Sequence, residues 1–356
     1  MPVPRVGILA DDRLQQHMLS STMLHLGFDV VVCTDPARME WYDASKCTLD
    51  VWLVDVILDD LPEPCEWLDA LLDGEVPVLL GFEKAPSKTS STYPRWQKKL
   101  YGKLSEIARR MPDTAETDSS LAVIQALDEA RIGTGKVVQR LPLPTVFSNL
   151  KQQGQPARCV WILGASLGGP PAVKDFLDAL PAGLPVAFVY AQHIDERFEQ
   201  TLSMTIGRHS AYELVTIQEN EPLKVGQVLV APVKHQFRFS DQGLMSASDE
   251  PWPGPYGPSI DQVILNVYDH FQCVCGVILF SGMGNDGSEA IMAIDSPELP
   301  VWVQSPESCI NSSMPESALE TERVKFRGDP FQLANQLVNR LKNDWTMNNE
   351  ANSSGN

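Results

Sequence analysis

Three side chains in the second half of the sequence have the types that acyl transfer requires. Ser166 lies in the glycine-rich stretch GASLGG, His193 in AQHI, and Asp286 in GMGNDG. A serine can attack a carbonyl, a histidine can take its proton, and a carboxylate can fix the imidazole tautomer and steady its charge. Each directly follows an apolar run, over residues 159–163, 185–191 and 274–281 respectively. If these runs are parallel strands, the three residues share the carboxyl edge of one sheet. The glycines beside Ser166 allow close backbone approach. A helix starting near Pro170 or Pro171 adds partial positive charge.

The serine stretch alone leaves several readings open. It fits the G-x-S-x-G nucleophile turn of many hydrolases. It equally fits a strand, glycine turn and helix around a nucleotide phosphate, or a plain capped turn. Chain order narrows the choice. An α/β-hydrolase places its histidine last, whereas the last histidine here, His270, falls in an expected helix over 261–271. A dinucleotide fold wants an acidic residue ending the second strand, where this chain has His193.

A second group of polar residues lies near the start. Asp11 and Asp12 follow the apolar run 4–10, and Asp55 lies in the run 49–56. At neighbouring strand ends three carboxylates would suit a hard cation such as Mg2+, with one accepting a phosphoryl group.

The elements that must position these residues alternate between strand and helix in both halves, which predicts two doubly wound, mostly parallel α/β sheets. In the first half, strands are expected over 4–10, 28–33, 49–56 and 77–80. A helix over 94–111 carries the stripe Trp96, Leu100, Leu104, Ile107 and Met111, and a further helix is expected over 119–132. The domains expected are 1–132, a proline-spaced linker over 133–156, a catalytic domain over 157–342, and a structureless polar tail over 343–356.

The chain has 356 residues, enough for two domains with proper cores. Its net charge of −18 disfavours nucleic acid and anionic membranes as partners. No apolar run is long enough to span a bilayer and no cleavable leader is visible, so the cytoplasm is the expected location. Seven cysteines spread over both halves read as reduced core residues.

In order and spacing, GASLGG, AQHI, VLVAPVKHQ, PSID, GVILFSGMGNDG and SMPESAL resemble the catalytic domain of the chemotaxis receptor methylesterases, the CheB family, over about residues 158–342. The resemblance implies Ser166 as nucleophile, His193 as general base then acid, Asp286 as orienting carboxylate, and the backbone N–H groups of Met283 and Leu167 as the oxyanion cradle. It implies hydrolysis of glutamate γ-methyl esters on methyl-accepting chemotaxis receptors, glutamine deamidation by the same route, and no cofactor for catalysis.

Residues 4–130 resemble a response-regulator receiver. That likeness implies Asp55 as phosphoacceptor, Asp11, Asp12 and Asp55 as Mg2+ ligands, and a chemosensory histidine kinase as partner. It is degenerate. Gly81 stands where receivers carry Ser or Thr, no fifth strand is recognisable, and Lys103, the nearest candidate for the receiver lysine, falls in a helix and reads as solvated.

The catalytic half also departs from its family. Leu167 replaces a threonine, Ile194 a methionine, and Val233-Lys234 a pair of glycines before His235. Arg197 and Phe198 are expected to shape substrate entry, and residues 252–258 (WPGPYGP) to form a lip. The alternative reading is a non-catalytic signalling adaptor whose two domains have drifted.

Overall fold

The computed structural model describes residues 3–36, 49–56, 66–72, 74, 76–80, 85–86, 90, 92–110, 139–150, 152–194, 196, 199–207, 209–254 and 256–353. The first unit runs β1 (Arg5–Ala10), α1 (Arg13–His25), β2 (Asp29–Thr34), β3 (Val51–Asp55), α2 (Glu66–Leu72), β4 (Val78–Leu80) and α3 (Tyr93–Arg110). Its strands pair in parallel in the order β2-β1-β3-β4. β1 and β3 carry unbroken apolar runs because helices cover a parallel sheet on both faces. Gly81 and the helix expected over 119–132 lie outside the described residues.

The expected three-carboxylate cluster does not form. Among the described residues no group of three or more His, Cys, Asp or Glu side chains is arranged to hold a metal. Asp12 caps α1 instead, its Oδ1 accepting the Leu14 N–H at 2.8 Å. Helix capping is a strong local use for an aspartate at a strand-to-helix turn, and Asp11 beside it is exposed.

The second unit runs β5 (Val160–Ala165), α4 (Gly169–Ala179), β6 (Ala187–Gln192), α5 (Glu199–Gly207), β7 (Glu213–Val215), β8 (Gln227–Val230), β9 (His235–Phe239) and β10 (Met245–Pro251). It continues through α6 (Ile260–Phe271), β11 (Cys275–Leu279), α7 (Ser288–Ala293), β12 (Val301–Gln304), α8 (Ser313–Glu320), β13 (Val324–Gly328) and α9 (Pro330–Ser353). β9 and β10 form an antiparallel ribbon; the other seven strands form a sheet in the order β13-β12-β11-β5-β6-β8-β7.

Every pairing in that large sheet is parallel. β5 lies at its centre, between β6 and β11. The chain fills one side of β5 and then returns to fill the other, so β5 and β11 flank the topological switch point, where such folds bind ligands. One apolar layer covers each face, with the Trp161 and Trp302 ring centroids 4.3 Å apart and their planes 44° from parallel in one of them.

Two connecting segments pack onto the second unit. The proline-spaced stretch, whose LPLP piece reads in sequence as a semi-rigid strap, is fastened there, since Leu141 N–H donates to Ala179 C=O at 2.8 Å and Phe147 is 1% exposed within the second unit's core. The expectation of a structureless tail over 343–356 is corrected, because α9 continues to Ser353. The stripe Leu333, Leu337, Val338 and Leu341 extends to Trp345, which meets Phe147 edge-on at 6.1 Å. Among the described residues no helix is long and apolar enough to cross a membrane.

Phe147→Ala should therefore destabilise the protein by about 3–5 kcal/mol, the range for a fully buried aromatic. Equilibrium denaturation measures this. A loss below about 0.5 kcal/mol would mark the segment as a loose linker after all.

Candidate active site

Hydrogen bonding carries the parallel pairing past the strand ends and into the site. Ser166 N–H donates to Ser281 C=O and His193 N–H to Ala165 C=O, both at 3.0 Å. The nucleophile candidate and its two neighbouring loops are thus fastened to one another by backbone. Between β5 and α4 the chain turns at Gly168, whose φ of +76° lies in the region that favours glycine. A Cβ there would fall 2.5 Å from the Ile310 Cβ.

Asp286 is the best-held side chain of the site. Its Oδ2 lies 2.8 Å from His193 Nε2 and accepts the Ile260 N–H at 2.8 Å, while Oδ1 accepts the Asp261 N–H at 2.9 Å. Ile260 and Asp261 open α6, so the carboxylate sits on a helix N-terminus, where free amides and the helix dipole favour negative charge. Burial pushes its pKa upward, but the His193 contact and the two amides outweigh that and hold it below the usual aspartate value.

Asp261 contributes more than its backbone. Its carboxylate accepts the Ala290 N–H of α7 at 2.7 Å. Burial and the neighbouring Asp286 raise its pKa to about 7.

His193 is buried, with its side chain 7% exposed. Tyr256 stacks on the imidazole with ring centroids 4.4 Å apart and planes 10° from parallel. With Nε2 engaged by Asp286, Nδ1 remains, buried and without a hydrogen-bond partner. An imidazole that donates from Nε2 presents a bare lone pair at Nδ1, the form a general base needs. Ser166, 3% exposed, lines the same small cavity as His193. Among the described residues the amides of Leu167 and Met283 have no acceptor.

Sequence reasoning expected Ser166, His193 and Asp286 on one sheet edge; in the structure His193 contacts Asp286 at 2.8 Å, and Ser166 lines the cavity that His193 lines. It missed Tyr256 as an individual, though the lip expected over 252–258 contains it. It named Lys103 only as the nearest candidate for a receiver lysine and read it as solvated, since the facing unit is not in view in sequence. Lys103 instead lines the cavity with Ser166 and His193. His235 is exposed at the start of β9, and Arg197 and Phe198 lie outside the described residues.

The first unit closes over this site. Leu167 is buried in the cluster that contains Ile8, Leu79, Trp96, Leu100 and Leu104, and Met283 and Ile310 pack against it. Ile194 packs against the cluster on the other face of the first sheet. The cavity left between the units measures about 10 Å³, lined by Leu72, Leu79 and Lys103 on one side and Ser166, Gln192 and His193 on the other. That volume is about the minimum for a single water. Among the described residues this cavity has no room for an ester beside Ser166.

Burial holds the His193 pKa below the ordinary histidine value; Asp286 opposes this, and the cations Lys103 and Lys99 add to it. Removing a neighbouring cation makes protonation easier. Lys103→Met should therefore move the NMR titration of His193 to higher pH. An unmoved titration would show that α3 exerts no influence on the imidazole.

Residues 161–337 match the family model described as CheB methylesterase. Over 182 residues the chain is 34% identical to the protein-glutamate methylesterase/protein-glutamine glutaminase 3 of Geobacter sulfurreducens, covering 50% of this chain and 49% of that protein. It is 34% identical over 177 residues to protein-glutamate methylesterase/protein-glutamine glutaminase 6 of Anaeromyxobacter dehalogenans, covering 48% of this chain and 50% of that one. The matched stretch thus spans about half the length of these relatives. The crystal structure of the Thermotoga maritima CheB methylesterase catalytic domain aligns with a TM-score of 0.49 at 20% identity, covering 51% of this chain and 97% of that one. The stretch that matches the CheB methylesterase family model contains Ser166, His193 and Asp286 alike.

Proposed function

We propose that this protein is a serine esterase that hydrolyses glutamate γ-methyl esters on methyl-accepting chemotaxis receptors, with Ser166 as nucleophile. The observation that carries the reading is an unpartnered imidazole nitrogen, a buried serine and the unpartnered Leu167 amide lining one cavity. The names of the relatives supply the substrate class.

The mechanism follows from the atoms. Ser166 Oγ gives its proton to His193 Nδ1 and bonds to the ester carbonyl carbon. The carbonyl oxygen becomes an oxyanion facing the Leu167 and Met283 amides. Collapse breaks the C–O bond, and Nδ1–H protonates the departing methoxide to give methanol. Water then gives a proton to Nδ1 and attacks the acyl-enzyme, and glutamate is released as Ser166 regains its proton. A glutamine side chain would follow the same path with ammonia as the leaving group. The groups named suffice for each proton transfer, and Asp286 keeps Nε2 protonated throughout.

The N-terminal unit we read as a receiver-like cover that restrains the esterase. Contacts of Leu167, Met283, Ile310 and Ile194 with its cores support this. Phosphorylation of Asp55 by a chemosensory histidine kinase is the corresponding signal. Asp55 is 5% exposed at the end of β3. The carboxylates Asp11, Asp12 and Asp55 do not fit a preformed Mg2+ site, since Asp12 is committed to the α1 cap. Free Cys33, Cys159, Cys275 and Cys309 support a reducing compartment, the cytoplasm.

Methanol release from a methylated receptor fragment tests the reading. Ser166→Ala should lower it by at least about a thousandfold, as loss of a triad nucleophile does. Release that persists in Ser166→Ala, or that no form of the protein supports, would overturn the esterase. Removal of residues 1–138 should raise the rate, and an unchanged rate would remove the cover from the proposal.

A further inference from the structure

The peptides that carry the two cradle amides are each held from behind. In a trans peptide the C=O and N–H point in opposite directions, so fixing one aims the other. The Ser166 C=O accepts from Gln192 Nε2 at 2.8 Å and from the Gly169 N–H at 3.0 Å. The N–H of that same peptide belongs to Leu167 and is turned away from Gln192. Gln192 is fixed in turn, since Tyr190 donates its hydroxyl to Oε1 at 2.7 Å, and it is 4% exposed.

The second cradle loop repeats the device with different residues. The Gly282 C=O accepts the Met314 N–H at 3.0 Å and lies 3.2 Å from Ser313 Oγ. The N–H of that peptide belongs to Met283. On the far side of Met283, the Gly284 N–H donates to the same Ser313 Oγ at 2.9 Å. One hydroxyl therefore touches the peptides before and after Met283. Asn311 seats that serine, its Oδ1 accepting the Ser313 N–H at 3.0 Å and lying 2.8 Å from its Oγ. The hydroxyl proton is shared between Asn311 Oδ1 and the Gly282 carbonyl.

The two loops have a common base. Ser281, fully buried, donates its hydroxyl to the Leu167 C=O at 2.8 Å and accepts the Asn311 N–H at 3.0 Å.

These holds answer a physical difficulty. An oxyanion donor works by being aimed before the charge develops, so it must stay unpaired without swinging to a nearby acceptor. Gly282 and Gly284 flank Met283, and Gly284 has a φ of +101°. Glycines allow that geometry but do not enforce it. We propose that Gln192 and Ser313 are positioning residues of the oxyanion cradle, each holding a carbonyl or amide so that the neighbouring N–H of Leu167 or Met283 faces the reacting carbonyl. The proposal rests on the esterase reading and names the parts that make its cradle rigid.

The test uses the full-length protein and the methanol-release assay. Deleting an oxyanion donor outright costs roughly a hundredfold or more in kcat. Loosening one by Ser313→Ala should cost less, about tenfold in kcat with KM within about twofold, and Ser313→Thr should restore the rate. Gln192→Met should behave like Ser313→Ala. Propylboronic acid, whose tetrahedral adduct on Ser166 puts an oxygen in the cradle, should lose inhibitory potency by the same factor as kcat/KM, while the His193 titration stays in place. A merely structural role would not link boronate potency to turnover.

If release is lost in Ser166→Ala but both Ser313→Ala and Gln192→Met keep kcat within twofold, the positioning proposal is wrong and the esterase stands. A fall in kcat without any loss of boronate potency would equally overturn the positioning role and leave the esterase in place. Release that survives Ser166→Ala sinks the esterase reading and this proposal with it.

Discussion

The carboxylate of Asp286 ties together parts of the chain that are far apart in sequence. It binds the imidazole that follows β6, the first amides of α6, and through its own loop the end of β11. A buried carboxylate on its own would be costly, and three donors satisfy it here. The capping Ser259, which accepts the Gln262 N–H at 3.3 Å, leaves the Ile260 and Asp261 amides free to face Asp286. Asp261 then fastens the same helix start to α7 through Ala290. The placement of the His193 imidazole is therefore a property of helix packing as much as of its own contact with Asp286.

Much of this was legible in the sequence, for identifiable reasons. Continuous apolar runs ending in Ser166, His193 and Asp286 mark buried parallel strands, and parallel strands put their ends on one edge whatever their order. The start of α4 was readable from Pro170 and Pro171, whereas the Ser259 cap that starts α6 one residue before the expected helix was seen only in the structure. Less was readable where a side chain had two possible uses. Asp12 could ligate a metal or cap a helix, and the local Leu14 amide took it. Phe147 and Trp345 lie in polar, proline-rich or asparagine-rich surroundings that suggest loose chain. Each nevertheless finds the other across the second unit's core.

What no reading of one segment could supply is the relation between the two units. Leu167 and Ile194 stand out in sequence as departures from the family pattern beside Ser166 and His193. In the structure both are apolar contacts with the first unit. The substitutions that look like erosion of an active site thus lie at the boundary between units. Lys103 belongs to the same boundary and brings a positive charge against the imidazole.

Because, among the described residues, Leu167, Met283, Ile310 and Ile194 of the second unit pack on apolar clusters of the first, that contact follows the thermodynamics of apolar hydration. Separating Leu167, Met283, Ile310 and Ile194 from the first unit exposes nonpolar surface and so raises the heat capacity of the opened form. Such contacts weaken on cooling, whereas the hydrogen bonds around Asp286 and Ser281 do not depend on that term. The apolar part of this contact is thus weakened by cooling. Access to Ser166 and the integrity of the site around it then respond to temperature in different ways.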